Sequence, residues 1–245
     1  MLFQEELLYE KICIIHSGSR KKNTYATVEK IKQSLLRQGE VSFTEFFLPH
    51  DAPCFCTGCF ACILKGRELC PHRTQIAPIE QAMLEADGLI FSTPVYVMDM
   101  SGQMKAFLDH FGHCFTIHRP FPELFQKSAL AVTTAAGAGN REAAQSIRRV
   151  LSYWGISKLF EFGIAMRAAS WDDIPPERSR KLQKKLDATA VRFFRSLDRP
   201  PHPGIRFRLM FRVMRAINQR NPDGHIDKEY WRAQGWLNGG CPWKS

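Results

Sequence analysis

Ile12-Cys13-Ile14-Ile15-His16-Ser17-Gly18-Ser19-Arg20-Lys21-Lys22-Asn23-Thr24 is the stretch that decides how this chain folds. Four apolar residues open it, three of them β-branched, which suits a strand buried on both faces. A polar turn containing glycine follows. Asn23 and Thr24 are residue types that begin helices. Val28, Ile31 and Leu35 then recur at helical spacing. The unit reads strand, loop, helix.

Outward from it the same alternation continues. Val41 to Leu48, Gly88 to Phe91, Ala129 to Val132 and Leu159 to Ile164 are further strand candidates. Helical stripes separate them at Ile79, Met83 and Leu84, at Met104, Phe107, Leu108 and Phe111, and at Ala144, Ile147, Val150 and Leu151. A last stripe runs through Leu182, Leu186, Phe193 and Leu197. Five buried runs separated by helices predict an α/β fold: a doubly wound parallel sheet with helices on both faces. Such sheets bind ligands beyond the carboxyl ends of their strands, at the switch point. The loops after strands one, three and four therefore draw attention. Arg199-Pro200-Pro201-His202-Pro203-Gly204 cannot continue a helix. It divides an expected sheet domain, residues 1–198, from a helical C-terminal extension, residues 199–245.

Composition bounds the function. The chain has 245 residues, 44% hydrophobic and 24% charged, with a net charge of +10; this is an ordinary globular mix, so disorder is not expected. Residues 199–245 hold nine bases against three acids. There Phe207, Met210, Phe211, Met214 and Ile217 form an apolar stripe, with Arg208, Arg212 and Arg215 on a different face. Packing on its own domain or across a homodimer is the reading preferred to contact with an anionic membrane surface. Nucleic-acid binding is not expected, because the arginines lack interleaved aromatics on a known binding fold. No apolar run is long enough to span a bilayer. The N-terminal MLFQEELLYEK lacks the apolar core of a secretory signal, so a cytoplasmic location is expected. The eight cysteines are then expected to be reduced, five of them between residues 54 and 70.

The first loop offers hydroxyls, backbone N–H groups and a helix N-terminus, which together can hold a phosphate. The same residues also suit a plain polar turn that caps a helix. The dinucleotide G-x-G-x-x-G and the Walker A glycine frame are both absent. After the third strand, Pro94 stiffens the exit and Tyr96 offers a flat face to an aromatic ring. After the fourth, Thr133-Thr134-Ala135-Ala136-Gly137-Ala138-Gly139-Asn140 is small enough for close backbone approach. Cys56-x2-Cys59-x2-Cys62-x7-Cys70 has a spacing that can wrap a [4Fe–4S] cubane. A cysteine loop without metal is the alternative, zinc a weaker one, and Cys54 is spare. His110, His113, Cys114 and His118 fall at offsets that one helical face can share, a second candidate for metal.

The order Gly18, Ser19, Arg20, Asn23, Thr24, then Cys56, Gly58, Cys59, Cys62, then Ala86-Asp87-Gly88, Pro94-Val95-Tyr96 and Ser101-Gly102-x-Met104-Lys105-Ala106-Phe107-Leu108-Asp109, is specific. Across residues 11–135 it resembles the NADPH-dependent FMN reductase group of the flavodoxin-like superfamily. The resemblance implies a five-stranded sheet of order 2-1-3-4-5 and bound FMN. It assigns Ser17, Ser19, Arg20, Asn23 and Thr24 to the phosphate. It sets Pro94, Val95, Tyr96 and Val97 beside the flavin ring, with Thr134, Ala135 and Gly137 at its far edge. Tyr96 is the single candidate for a stacking or gating role. The cysteine spacing resembles the iron–sulfur flavoproteins, a branch of the same superfamily. Two departures stand out: His72-Arg73-Thr74 replaces the usual Asp-Asp-Met, and His110 replaces the usual Arg.

The implied activity is electron transfer from NAD(P)H through FMN to a small-molecule acceptor such as a quinone. Its rivals are an electron carrier without a nicotinamide site and a redox or metal sensor built on the cysteine loop. A homodimer is implied, with residues 205–237 covering the neighbour's flavin or their own. Denatured protein is expected to release FMN and not FAD, because the loop provides one phosphate pocket without dinucleotide glycines. Chromatography of the released flavin checks this, and recovery of FAD would contradict it.

Overall fold

Alternation within β1 (Glu10–His16) organises the molecule. Ile12 and Ile14 enter one apolar layer and Cys13 and Ile15 the other, the two-residue period of a strand covered on both sides. The computed structural model describes residues 9–18, 20–198 and 203–243. β1 pairs in parallel with β2 (Val41–Phe47) on one side and β3 (Gly88–Tyr96) on the other. β3 pairs with β4 (Ser128–Ala135), and β4 with β5 (Lys158–Ala165), all parallel. The order is β2-β1-β3-β4-β5. The sheet is the doubly wound sheet that the alternation of strands and helices predicts, in the flavodoxin-like order that the resemblance implies.

One element differs from expectation. A two-residue strand, Asp99–Met100, folds back antiparallel on the end of β3 and pairs with Val95 and Tyr96. The turn residues Val97 and Met98 both have positive φ, 48° and 67°. This is a primed hairpin turn, normally supplied by Asn-Gly or Gly-Gly, so the sequence carries no sign of it. A β-branched residue in that region is strained.

Helices cover both faces. On one face lie α1 (Asn23–Leu36) and α5 (Pro176–Phe194); on the other lie α2 (Arg73–Glu85), α3 (Gly102–Asp109) and α4 (Asn140–Tyr153). Val28, Ile31, Leu186 and Phe193 pack against Ile12, Ile90, Leu130 and Phe162. Ile79, Met83, Phe107 and Ile147 pack against Cys13, Leu89 and Phe91.

The extension forms α6 (Ile205–Arg220) and α7 (Ile226–Ala233). It docks on its own chain around Phe125, burying Phe211, Trp231 and Trp236 in a separate aromatic cluster. Phe207, Phe211 and Met214 face inward, as their spacing implies, but Ile217 does not. Asn218 takes the inward place and donates to the carbonyls of Ile117 and Met214. The indole of Trp231 donates to the His118 carbonyl at 2.6 Å and the Tyr230 hydroxyl to that of Pro120 at 2.6 Å. Asp227 accepts from His118 and pairs with the buried Arg119. Arg119 in turn donates to the carbonyls of Cys62 and Ile63, inside the cysteine loop. Among the described residues, no helix is long and apolar enough to cross a membrane.

Arg119 and Asp227 are 8% and 5% exposed. Removing one partner of a buried pair leaves the other charge uncompensated. Asp227→Ala is therefore expected to lower stability by about 3–5 kcal/mol, read by urea unfolding. A loss under about 1 kcal/mol would show that the pair does not anchor the extension.

Candidate functional site

All five long strands run the same way, so their carboxyl ends meet at one edge. A cleft of about 390 Å³ opens there, across the β1/β3 switch point. Its size is in the range of small-ligand sites. Arg20, Asn23 and Thr24 of the first loop line one side, and Pro94, Val95 and Tyr96 line another. Thr134 and Ala135 close it from β4. Sequence-derived candidates from three separate loops are thus brought together.

The others fall elsewhere. Ser17 is buried below the cleft, donating its N–H to the Ser92 carbonyl and accepting from the Ser101 hydroxyl at 2.7 Å. Val97 is 98% exposed at the hairpin tip, outside the cleft lining. Gly137 lies in open space and is not part of the lining. Ser19 lies outside the described residues. In their place the structure brings in Gly18, Lys22 and Ala136, together with Met166 and Ala168 from the segment after β5. A parallel sheet puts the end of its fifth strand at the same edge, and that rule was the signal available for the last two.

The first turn of α1 has no side-chain cap, and it has no acid. Its backbone N–H groups and the positive end of its dipole are free to meet an anion. Arg20 and Lys22 add charge at the same place. Asn23 donates to the Ala169 carbonyl at 2.9 Å, and the Thr24 and Thr134 hydroxyls meet at 2.5 Å. These two bonds tie the first loop to the exits of β5 and β4.

Below the rim, His16 is buried, stacked on Phe47 at 4.7 Å, and bonded to Glu45 and Ser92, each at 2.9 Å. Burial lowers its pKa in spite of Glu45, so the ring is neutral near pH 7.

The loop after β2 carries the cysteines. Cys56 and Cys59 are exposed, Cys62 and Cys70 half-buried, and all are free thiols. Burial raises the Cys62 pKa, and negative charge on Cys70, Cys56 or Cys59 raises it further. Positive φ at Gly58, Phe60 and Gly66 winds the loop tightly.

The proposed shared face of His110, His113, Cys114 and His118 does not exist. α3 ends at Asp109 and a short turn follows, so the helical offsets no longer apply. His110 bonds the Ala106 carbonyl and His72, while His118 bonds Asp227. Cys114 is fully buried, with its thiol pKa pushed far up by burial. His113 lines a larger cavity of about 610 Å³ between the cysteine loop and the extension, far from the strand ends in sequence and lining. Burial first, then Arg119, Arg67 and Arg73, push its pKa down to about 3. The carboxyl-end cleft carries the Thr24 and Thr134 hydroxyls and the first turn of α1 at one place.

Residues 11–168 match the family of the NADPH-dependent FMN reductases, and the chain belongs to that family. An iron–sulfur flavoprotein from Archaeoglobus fulgidus is 26% identical over 230 residues, covering 90% of this chain and 97% of that protein. An NADH:FMN oxidoreductase in its apo form superposes with a TM-score of 0.57 at 21% identity, covering 80% of this chain and 92% of that one. An NAD(P)H:quinone oxidoreductase from Methanothermobacter marburgensis gives 0.57 at 15% identity, covering 80% and 100%. The two structures share the fold.

Gly139 couples two of the cleft's loops. Its φ is +95°, and a Cβ there would meet Val95 Cγ1 at 2.6 Å and Met98 Cα at 3.0 Å. Gly139→Ala is expected to cost about 1–3 kcal/mol and to weaken flavin retention by displacing the hairpin. Gly137→Ala, with no atom within 4 Å, is the near-neutral control. Thermal unfolding and flavin fluorescence titration of both variants check this; equal behaviour would contradict it.

Proposed function

We propose that this FMN-dependent oxidoreductase accepts hydride from NAD(P)H and passes the electrons to a small acceptor such as a quinone, with FMN in the carboxyl-end cleft. The observation that carries the reading is the convergence of an uncapped α1 N-terminus with Arg20, Asn23, Thr24 and Thr134 at one end of a cleft bounded by Tyr96 at another. The residues present fit the cofactor. Backbone N–H groups of the first turn and the Arg20 and Lys22 cations suit a phosphate dianion. Pro94, Val95 and Ala135 offer the flat, weakly polar walls that a planar ring needs.

FMN, when bound, supplies hydride and single-electron chemistry. The chain's part is to bind and orient it. The Asn23–Ala169 and Thr24–Thr134 bonds hold the first turn of α1 in place before anything binds, which lowers the ordering cost. Ser17 acts from beneath, fixing the loop to the N-terminus of α3 through Ser101. Tyr96, 48% exposed, stands at the mouth and can cover a ring or yield to a substrate. His16 stays neutral and does not compete for the phosphate. No side-chain nucleophile is called for.

A second reading is an iron–sulfur flavoprotein that carries electrons without oxidising NAD(P)H directly. Two observations favour it: the free Cys56, Cys59, Cys62 and Cys70 in one loop, and the name carried by the Archaeoglobus relative. Four thiolates are a fitting donor set for a [4Fe–4S] cluster. A homodimer is part of the proposal. Ile205, Leu209, Val213 and Ile217 make an exposed apolar row on α6, between 38% and 84% exposed, and such a row suits an interface. Covering of the chain's own cleft by the extension is not supported, since no residue beyond Ala168 lines it among the described residues.

Anaerobically purified protein is expected to oxidise NADH or NADPH with a quinone, and to contain about four iron per chain that Cys59→Ala largely removes. Full iron with no nicotinamide oxidation would select the carrier. Full activity without iron would leave the cysteine loop outside the electron path.

A further inference from the structure

Three features that the reductase reading leaves unused come together in space. Cys54 is the cysteine outside the x2-x2-x7 pattern. His72 and His110 are the residues at the two departures from the family's usual Asp and Arg positions. Cys54 follows β2, His72 directly precedes α2, and His110 directly follows α3. The Cys54 sulfur and one ring nitrogen from each histidine all lie within 4.8 Å of one another.

We propose that Cys54, His72 and His110 form a binding site for a zinc-class divalent cation, distinct from the four-cysteine loop.

His110 is 3% exposed, and its ring is already aimed. Its Nδ1 donates to the Ala106 carbonyl at 2.8 Å, which leaves Nε2 as a lone pair facing the cluster. That outer hydrogen bond is the usual device for fixing the tautomer of a ligating histidine. Nε2 lies 2.9 Å from His72 Nδ1 and 3.9 Å from Cys54 Sγ. Metal–ligand lengths of about 2.3 Å to sulfur and 2.0–2.1 Å to nitrogen put tetrahedral donors about 3.3–3.7 Å apart. The half-buried His72 has only to swing back by a few tenths of an ångström. Gln75 Oε1 accepts from the Cys54 thiol at 2.8 Å, and it or a water would serve as the fourth donor.

The donor set decides the class of cation. One thiolate and two neutral imidazoles suit zinc and its borderline neighbours. Calcium and magnesium require oxygen ligands, and no carboxylate belongs to the cluster. The protons balance simply. Cys54 loses its thiol proton to solvent, and His72 moves its proton from Nδ1 to Nε2. One proton leaves for each cation that enters.

Such a cation would join the start of the cysteine loop to the start of α2 and the end of α3. Calorimetric titration of the full-length protein with Zn²⁺, with parallel zinc and iron analysis, tests the proposal. The expected result is about one zinc per chain. His72→Ala, His110→Ala and Cys54→Ser should each weaken it by more than about 100-fold, the upper end for outer-shell changes. Iron and flavin content should stay unchanged. Cys59→Ala should lose iron and keep zinc. In Co²⁺-loaded protein the visible bands of a tetrahedral site should vanish in His72→Ala, a variant at a half-exposed position that leaves the core intact. The proposal is overturned if Zn²⁺ does not bind, if it binds equally in the histidine variants, or if it is lost with Cys59. These outcomes are read separately from nicotinamide oxidation.

Discussion

Every long strand of this protein points the same way, and that constraint governs the rest. Parallel strands need crossover helices, the helices cover both faces, and the polar connections are driven to the two ends of the sheet. The burial of Ile12 and Ile14 on one side and Cys13 and Ile15 on the other leaves the chain one place for polar chemistry after β1: the edge beyond His16. The same holds for β3, β4 and β5. The cleft follows from the sheet.

Convergence alone does not make a rigid site. The loops are locked by contacts that involve few atoms: the Asn23 amide on the Ala169 carbonyl, the meeting of the Thr24 and Thr134 hydroxyls, and the close approach of Gly139 to Val95 and Met98. The Val97–Met98 turn holds a strained backbone because Asp99 is fixed from two sides. Its carboxylate accepts from the Met100 N–H at 2.7 Å and from Ser146 at 3.1 Å. Strain retained at the mouth of a cleft, and over-determined by its surroundings, fits a site kept in one shape.

The extension reaches the cysteine loop from the opposite side. Asp227 orients Arg119, and Arg119 holds the carbonyls of Cys62 and Ile63. A loop with little regular structure is thereby braced, while Cys56 and Cys59 stay exposed. The histidines at 72 and 110 lie beside Cys54, so the two ends of that loop meet at one place while its middle is held by Arg119.

The residue pattern by itself determined the layers and the first loop, because burial is written locally as period 2 in strands and period 3.6 in helices. Ile12 to Ile15, Val28 to Leu35 and Gly88 to Phe91 each declare their partners' faces without reference to distant sequence. Strand order and cofactor came from the resemblance of the Gly18–Thr24 and Pro94–Tyr96 motifs. Only tertiary structure decided the rest. Ser17 proved to be a strut under the cleft, since its partner Ser101 is remote in sequence. Met166 and Ala168 joined the lining because β5 ends beside β4. The face expected to unite His110, His113, Cys114 and His118 dissolved because the helix stops at Asp109. His110 instead met His72 and Cys54, residues whose nearness depends on how α2 and α3 cross the sheet. Spacing along a chain describes one element at a time, whereas a site is made where several elements end together.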